Sequence, residues 1–111
     1  MSDVVSLLSQ IEDTGRDTRG PGYQRPGFSD TERDLREWFL AEAARRGLDT
    51  EIDANGITWA WATPQGANAV VTGSHLDSVP GGGEFDGPLG VASALAAFDV
   101  LKDSGALEQS T

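Results

Sequence analysis

The sequence predicts an α/β fold with helices packed on a mixed sheet, and three observations carry that expectation. A capped amphipathic segment occupies residues 29–47. Two strand-like segments flank an Asn-Gly pair at residues 55 and 56. A short apolar run at 67–73 then leads through the glycine-rich stretch "TGSHLDSVPGGGEFDGPLG" (72–90) into an alanine-rich helix. With 111 residues, 38% of them hydrophobic, the chain can form one domain around a small core.

The elements follow in order. In "DVVSLLSQI" (3–11), Val4, Leu7, Leu8 and Ile11 recur at helical spacing. Residues 13–28, "DTGRDTRGPGYQRPGF", are loop by composition, with four glycines and two prolines. They carry Arg16, Arg19, Tyr23 and Arg25, which read as an exposed connection in preference to a substrate-facing loop. Ser29 and Glu32 have the spacing of a capping box for the second helix. Leu35, Trp38, Phe39 and Ala43 share one of its faces, while Arg45, Arg46 and Gly47 supply a cationic last turn and a stop.

"LDTEID" (48–53) alternates as an exposed strand does, Asn55-Gly56 signals a tight turn, and "ITWAWA" (57–62) returns with Ile57, Trp59 and Trp61 on one face. "ANAVVTG" (67–73) reads as a buried strand. "GPLGVASALAAFDVLKDSG" (87–105) reads as a helix starting just past Asp86, with Leu89, Ala92, Ala96 and Val100 as its packing face. This order ends on the first half of a βαβ unit, so a further parallel strand is expected soon after Leu107. The chain reads as the beginning of a larger α/β domain; a complete three-stranded α+β miniature is the alternative.

Charge and composition narrow the function classes. A formal net charge of −10, with eight Lys and Arg spread along the chain, argues against a nucleic-acid partner, which needs clustered cations. The absence of cysteine rules out disulfides and thiolate metal sites. No apolar run approaches membrane-spanning length, and the N-terminus lacks the pattern of a signal peptide, so no membrane association and a cytoplasmic location are expected.

The chemistry concentrates between residues 72 and 90. His75, the single histidine, lies just past the carboxyl end of the expected third strand, where open α/β sheets place ligands. His75 and Asp77 stand two apart, so an extended backbone points both side chains the same way. Asp77 can then accept a hydrogen bond from one ring nitrogen while the other binds a metal. The "GGGEF" connection can fold Asp86 back toward His75, and Asp86 also sits where a helix cap is favoured. Each residue alone has a plainer reading: a solvated histidine, a turn former, an N-cap. Their coincidence at a strand-to-helix junction favours a metal site. A phosphate loop would want a lysine where Glu84 and Asp86 stand, and Ser74, His75 and Asp77 are too close in sequence to form a catalytic triad.

"TGSHLDSVPGGGEFDGPLGVASAL" closely resembles the metal-binding segment of the amidohydrolase branch of the dinuclear metallopeptidase superfamily. That branch includes N-carbamoyl-L-amino-acid hydrolases, beta-ureidopropionase and allantoate amidohydrolase. The segment from Phe28 to Ala62 is similar to the branch's N-terminal helix and hairpin, and "DANGITWAW" leans toward the allantoate enzymes. The resemblance implies a zinc-peptidase-like catalytic domain, with residues 1–111 as its N-terminal portion and the dimerisation domain absent. It implies two divalent metal ions, zinc or manganese, with His75 as a ligand of one, Asp86 bridging both and Asp77 orienting His75. The implied activity is hydrolysis of carbamoyl or ureido C–N bonds of a small-molecule substrate by a homodimer, with a glutamate elsewhere as general base. Peptidase or aminoacylase activity of the same superfamily, or a non-catalytic remnant, are the alternatives. The family's paired acidic residues and further histidines lie beyond residue 111. The chain is therefore expected to be an N-terminal fragment without turnover of its own.

Overall fold

The computed structural model describes residues 3–17, 20, 22–62, 70–78 and 80–105. Three helices and one hairpin appear in the order α1 (Val4–Gln10), α2 (Asp30–Arg45), β1 (Asp49–Ile52), β2 (Thr58–Trp61) and α3 (Pro88–Ser104). Each helix start has a local cause. Asp3 caps α1 by accepting from the Ser6 amide at 2.8 Å. Ser29 caps α2 through the Glu32 amide at 3.2 Å. Only half of the expected capping box forms there, because the Glu32 carboxylate turns instead to Arg36 at 3.3 Å.

The end of α2 is closed by paired bonds from the Gly47 amide to Ala44 O (3.0 Å) and from the Leu48 amide to Ala43 O (3.0 Å), with Gly47 at φ 73°. These two bonds define a Schellman motif, which redirects the chain into β1.

The hairpin pairs β1 and β2 antiparallel, from Asp49 opposite Trp61 to Ile52 opposite Thr58. Its tip is a three-residue loop, Ala54-Asn55-Gly56, inside the Asp53–Ile57 pair, with the Asp53 amide donating to Ile57 O at 3.0 Å. Asp53 organises this tip: its carboxylate accepts from the Asn55 and Ile57 amides at 2.8 and 3.0 Å and from the Trp59 indole at 2.9 Å. Trp59 and Trp61 stack on the expected common face with centroids 5.4 Å apart. β1 is exposed throughout, as its alternation predicts.

Apolar packing joins α1 to α3. Leu7, Val91, Ala92 and Leu95 form the buried cluster, and Val4, Leu8, Trp38, Phe39, Leu76 and Ala96 pack against it. Trp38 and Phe39 of α2 therefore serve the core, as read from the sequence. The face that α3 buries is only partly the expected one: Ala92 is inside and Ala96 packs on the cluster, but Leu89 and Val100 are 42% and 57% exposed, and Pro88, Val91 and Leu95 are buried instead. Periodicity marks an apolar stripe, but α3 is apolar nearly all round, so the position of α1 decides which stripe is covered.

The expected third strand is not seen among the described residues. Residues 67–69 lie outside the described region, and Val70 and Val71 carry no strand pairing and are 98% and 62% exposed. An apolar run becomes a strand only beside a hydrogen-bonding neighbour, and the two-stranded sheet does not pair with it. The sheet of the described residues is a two-stranded antiparallel pair within the α/β fold that the sequence predicts.

The expected exposed connection at 13–28 is also corrected. Arg16 remains exposed and Arg19 lies outside the described residues, but Tyr23 and Arg25 are 3% and 2% exposed. Burial holds the Arg25 guanidinium below its ordinary value, with Tyr23 acting in the opposite sense.

A polar lock fastens α2 to α3. Arg46 donates through Nε and Nη2 to the two oxygens of Asp99, at 2.9 and 3.0 Å, and through Nη1 to buried Glu42 at 3.2 Å. The Asp99 and Arg46 side chains are 15% and 8% exposed, so removing Asp99 leaves a nearly buried guanidinium with half of its carboxylate partners. Asp99→Ala is expected to cost about 3 kcal/mol in a urea unfolding experiment. An unchanged midpoint would contradict the lock.

A second expected outcome concerns the hairpin tip. The Trp59 hydrogen bond, with the backbone donors, holds the Asp53 carboxyl below its ordinary value. A folded pKa lying below the unfolded one contributes stability that is present above the ordinary carboxylate range and lost as pH falls through the folded value. The Trp59 indole proton resonance should therefore stay constant from neutral pH down through that range and shift only below it. In Asp53→Asn this low-pH shift should be absent.

Candidate metal centre

The structure brings His75, Asp77 and Asp86 together. Residues 74–77 run past the start of α3 with alternating directions. Leu76 points into the core cluster, and His75 and Asp77 face outward with side chains 52% and 53% exposed. Leu76 is the anchor that sequence reasoning overlooked, although an apolar residue between two polar ones in an extended segment is its signature.

The two ring nitrogens meet different partners. His75 Nδ1 lies 3.0 Å from the main-chain carbonyl oxygen of Asp77 and 3.3 Å from its carboxylate Oδ1. The expected contact to the Asp77 carboxylate is present, but the carbonyl is the nearer acceptor. With the proton on Nδ1, both Asp77 oxygens fix the tautomer and leave the Nε2 lone pair free. Nε2 faces Asp86 Oδ1 at 3.6 Å.

That pairing sets two acceptor atoms against each other at a separation too long for a hydrogen bond. It is, however, less than twice the bond length of about 2.1 Å that zinc makes to nitrogen or oxygen, so one cation can touch both atoms. An imidazole nitrogen with a carboxylate oxygen is a donor set suited to a divalent metal ion. Asp77 is engaged at the other nitrogen, and among the described residues no group of three or more His, Asp or Glu side chains converges on one point. The described residues thus offer two converging donors, fewer than the three protein ligands a catalytic zinc requires.

The close approach of α3 makes this possible. Asp86 does not cap the helix; the N-cap is Gly87, which makes no side-chain bond, with Pro88 at the first helical position. Gly87 has φ 99°, and a Cβ there would lie 2.6 Å from His75 Nδ1 and 2.5 Å from its carbonyl oxygen. Only glycine satisfies both the backbone angle and the space, and the turn it permits releases the Asp86 carboxylate toward His75. One turn on, a Cβ at Gly90 would lie 2.6 Å from Ser74 Cβ. Glycine patterns of this kind are visible in the sequence, but their cause, contact with residues 74 and 75, is not.

The surroundings favour a cation electrostatically. Glu84 joins Asp77 and Asp86 among the exposed acidic residues of this stretch, in a chain of net charge −10.

Gly90 provides a sharp test of this packing. A glycine inside a helix is about 1 kcal/mol less favourable than alanine, so Gly90→Ala in open space would stabilise the chain. Here it is expected to destabilise it, through the clash with Ser74. Adding Ser74→Gly should recover much of the loss in thermal unfolding followed by circular dichroism. Simple stabilisation by Gly90→Ala would show that α3 does not approach residue 74 so closely.

Comparison with known proteins completes the description. No family model matches the chain. A ureidoglycolate hydrolase of Arabidopsis thaliana is 35% identical over 108 residues, covering 93% of this chain and 22% of that protein. An N-carbamoyl-L-amino acid amidohydrolase of Geobacillus stearothermophilus is 34% identical over 100 residues, covering 88% of this chain and 24% of that protein. Among solved structures, a hydantoinase/carbamoylase family amidase from Burkholderia ambifaria superposes with a TM-score of 0.82 at 34% identity, over 92% of this chain and 25% of that one. The chain spans about a quarter of the length of these relatives, and over that span it is homologous to N-carbamoyl-L-amino acid amidohydrolases and hydantoinase/carbamoylase family amidases.

Proposed function

We propose that His75 and Asp86 hold a divalent cation, and that the chain forms a metal-binding part of a hydrolase acting on carbamoyl or ureido C–N bonds of small molecules. The observation that carries this reading is the 3.6 Å gap between His75 Nε2 and Asp86 Oδ1, two acceptors with Nδ1 already engaged by Asp77. The names of the relatives support the substrate class: one acts on ureidoglycolate, another on N-carbamoyl-L-amino acids.

Within this reading His75 offers Nε2 as a ligand, and Asp77 keeps the ring in the required tautomer and orientation. The resemblance implies that Asp86 would serve a pair of ions, zinc or manganese. Chemically, a divalent cation at such a site polarises an amide or ureido carbonyl and activates water. The general base and the remaining ligands are assigned to residues outside this chain, and a homodimer is inferred for an enzyme carrying this segment, on the resemblance alone.

The test is a graft. The matching segment of the Geobacillus stearothermophilus amidohydrolase is replaced by this chain, and ammonia release from N-carbamoyl-L-amino acids is measured. The chimera is expected to be active, to lose activity and metal with His75→Ala or Asp86→Ala, and to keep more of its metal than of its rate with Asp77→Asn. Calorimetric titration of the 111-residue chain with zinc or manganese chloride is the companion measurement. Weak binding that His75→Ala removes is expected, because the described residues supply two ligands. Undiminished activity and metal content in the His75→Ala graft would overturn the assignment.

A further inference from the structure

We propose that Arg25 is a positioning residue for the His75–Asp86 pair, holding the loop that joins Asp77 to Asp86 from behind instead of touching a substrate. The proposal rests on the cation site described above and concerns how that site is kept in shape.

Residues 23–25 form a strap whose main chain and side chains face different neighbours. Its main chain grips both ends of the loop 78–82. The Tyr23 amide donates to Gly82 O at 2.9 Å and the Gly82 amide donates back to Tyr23 O at 3.2 Å. The Ser78 amide donates to Arg25 O at 2.7 Å, and the Arg25 amide donates to Ser78 Oγ at 3.1 Å. Ser78 immediately follows Asp77, and Gly82 shortly precedes Asp86. The strap therefore constrains the loop between the two carboxylates.

The Tyr23 and Arg25 side chains reach the other way, to the C-cap of α1 and the turn that follows it. Arg25 Nη2 donates to Ile11 O and Nε to Thr14 O, both at 2.9 Å, and its guanidinium carbon lies 3.9 Å from the centroid of the Tyr23 ring. The Tyr23 hydroxyl donates to Glu12 O at 2.7 Å. Carbonyls at a helix C-terminus are natural partners of a cation. Among the described residues no carboxylate lies within ion-pair distance of Arg25, so carbonyl dipoles and an aromatic face compensate its buried charge. A simple apolar filler would occupy that volume without the desolvation cost of a cation. The planar fork instead fixes the strap relative to α1, and through α1 and Leu7 relative to α3, the helix that begins beside Asp86.

Arg25→Lys keeps the charge but cannot reach both carbonyls as a fork or lie flat on the ring. Ser78→Ala loosens the strap without touching α1. Both variants are compared with wild type and His75→Ala in the 111-residue chain, at a temperature where circular dichroism shows each folded. Zinc affinity is measured by calorimetry. Amide exchange of Ser78 and Gly82 and the nitrogen resonances of the His75 ring are followed without metal.

Arg25→Lys is expected to weaken zinc binding about tenfold, the usual loss when a group behind a ligand is altered. It should also speed exchange at both amides and shift the His75 nitrogen resonances. Ser78→Ala should move the same observables in the same direction by less, and decides the matter if Arg25→Lys does not fold. Wild-type zinc affinity and His75 resonances in a folded but less stable Arg25→Lys would overturn the proposal. If His75→Ala binds zinc as wild type does, the cation site itself is wrong, and the metal-free measurements still judge the strap.

Discussion

The start of α3 lies so close to residues 74 and 75 that no side chain fits between them, and the geometry of the candidate site depends on that contact. Gly87 and Gly90 are the points of approach, and a Cβ at either would fall within 2.6 Å of a neighbour. The approach is driven by burial farther along the helix, where Val91, Ala92 and Leu95 close over Leu7 and Leu76 follows them inward. Because Leu76 must point in, His75 and Asp77 must point out. The polar arrangement is in this sense a consequence of an apolar one.

Two arginines complete the framework, and they solve different problems. Arg46 joins α2 to α3 through a charge pair with Asp99, with Glu42 as a second acceptor. Arg25 joins the end of α1 to the loop beside the site: its side chain donates to the Ile11 and Thr14 carbonyls, and its main chain pairs with Ser78. The pair fastens two long helices whose mutual apolar contact is modest. The carbonyl contacts fall at the C-cap of α1, Ile11, and in the turn that follows it, Thr14. A buried cation is costly in either setting, but each here has its hydrogen-bonding groups directed to acceptors.

Among the described residues the candidate site is open to solvent. His75, Asp77 and Asp86 all keep more than half of their side-chain surface in water. Such exposure suits donors awaiting a partner: a hydrated cation can approach, and the acidic surroundings attract it. The relatives that share this segment are about four times as long.

Much of the local structure was legible in the sequence because its causes are local. Ser29 before the amphipathic run of α2, Gly47 after it, Pro88 at the start of α3 and the Asn-Gly tip of the hairpin each act through neighbours a few residues away. The spacing of His75 and Asp77, and the glycines that return Asp86 to them, likewise follow from backbone geometry. What failed was whatever depends on a distant partner. The apolar run at 70–71 did not become a strand, because a strand needs a neighbouring strand. The buried stripe of α3 is rotated from the expected one, since α1 decides which side is covered. Arg25 and Tyr23 sit in a segment whose composition says loop, yet the carbonyls at the end of α1 draw them inside.

By itself, the sequence determined where the helices begin and end, which residues could carry metal chemistry and to which family the segment is related. Those properties reside in neighbouring residues and short motifs. The tertiary structure alone decided which ring nitrogen meets which carboxylate, which face of α3 is buried and what holds the site loop in place, because each of these is a contact between residues far apart in the chain.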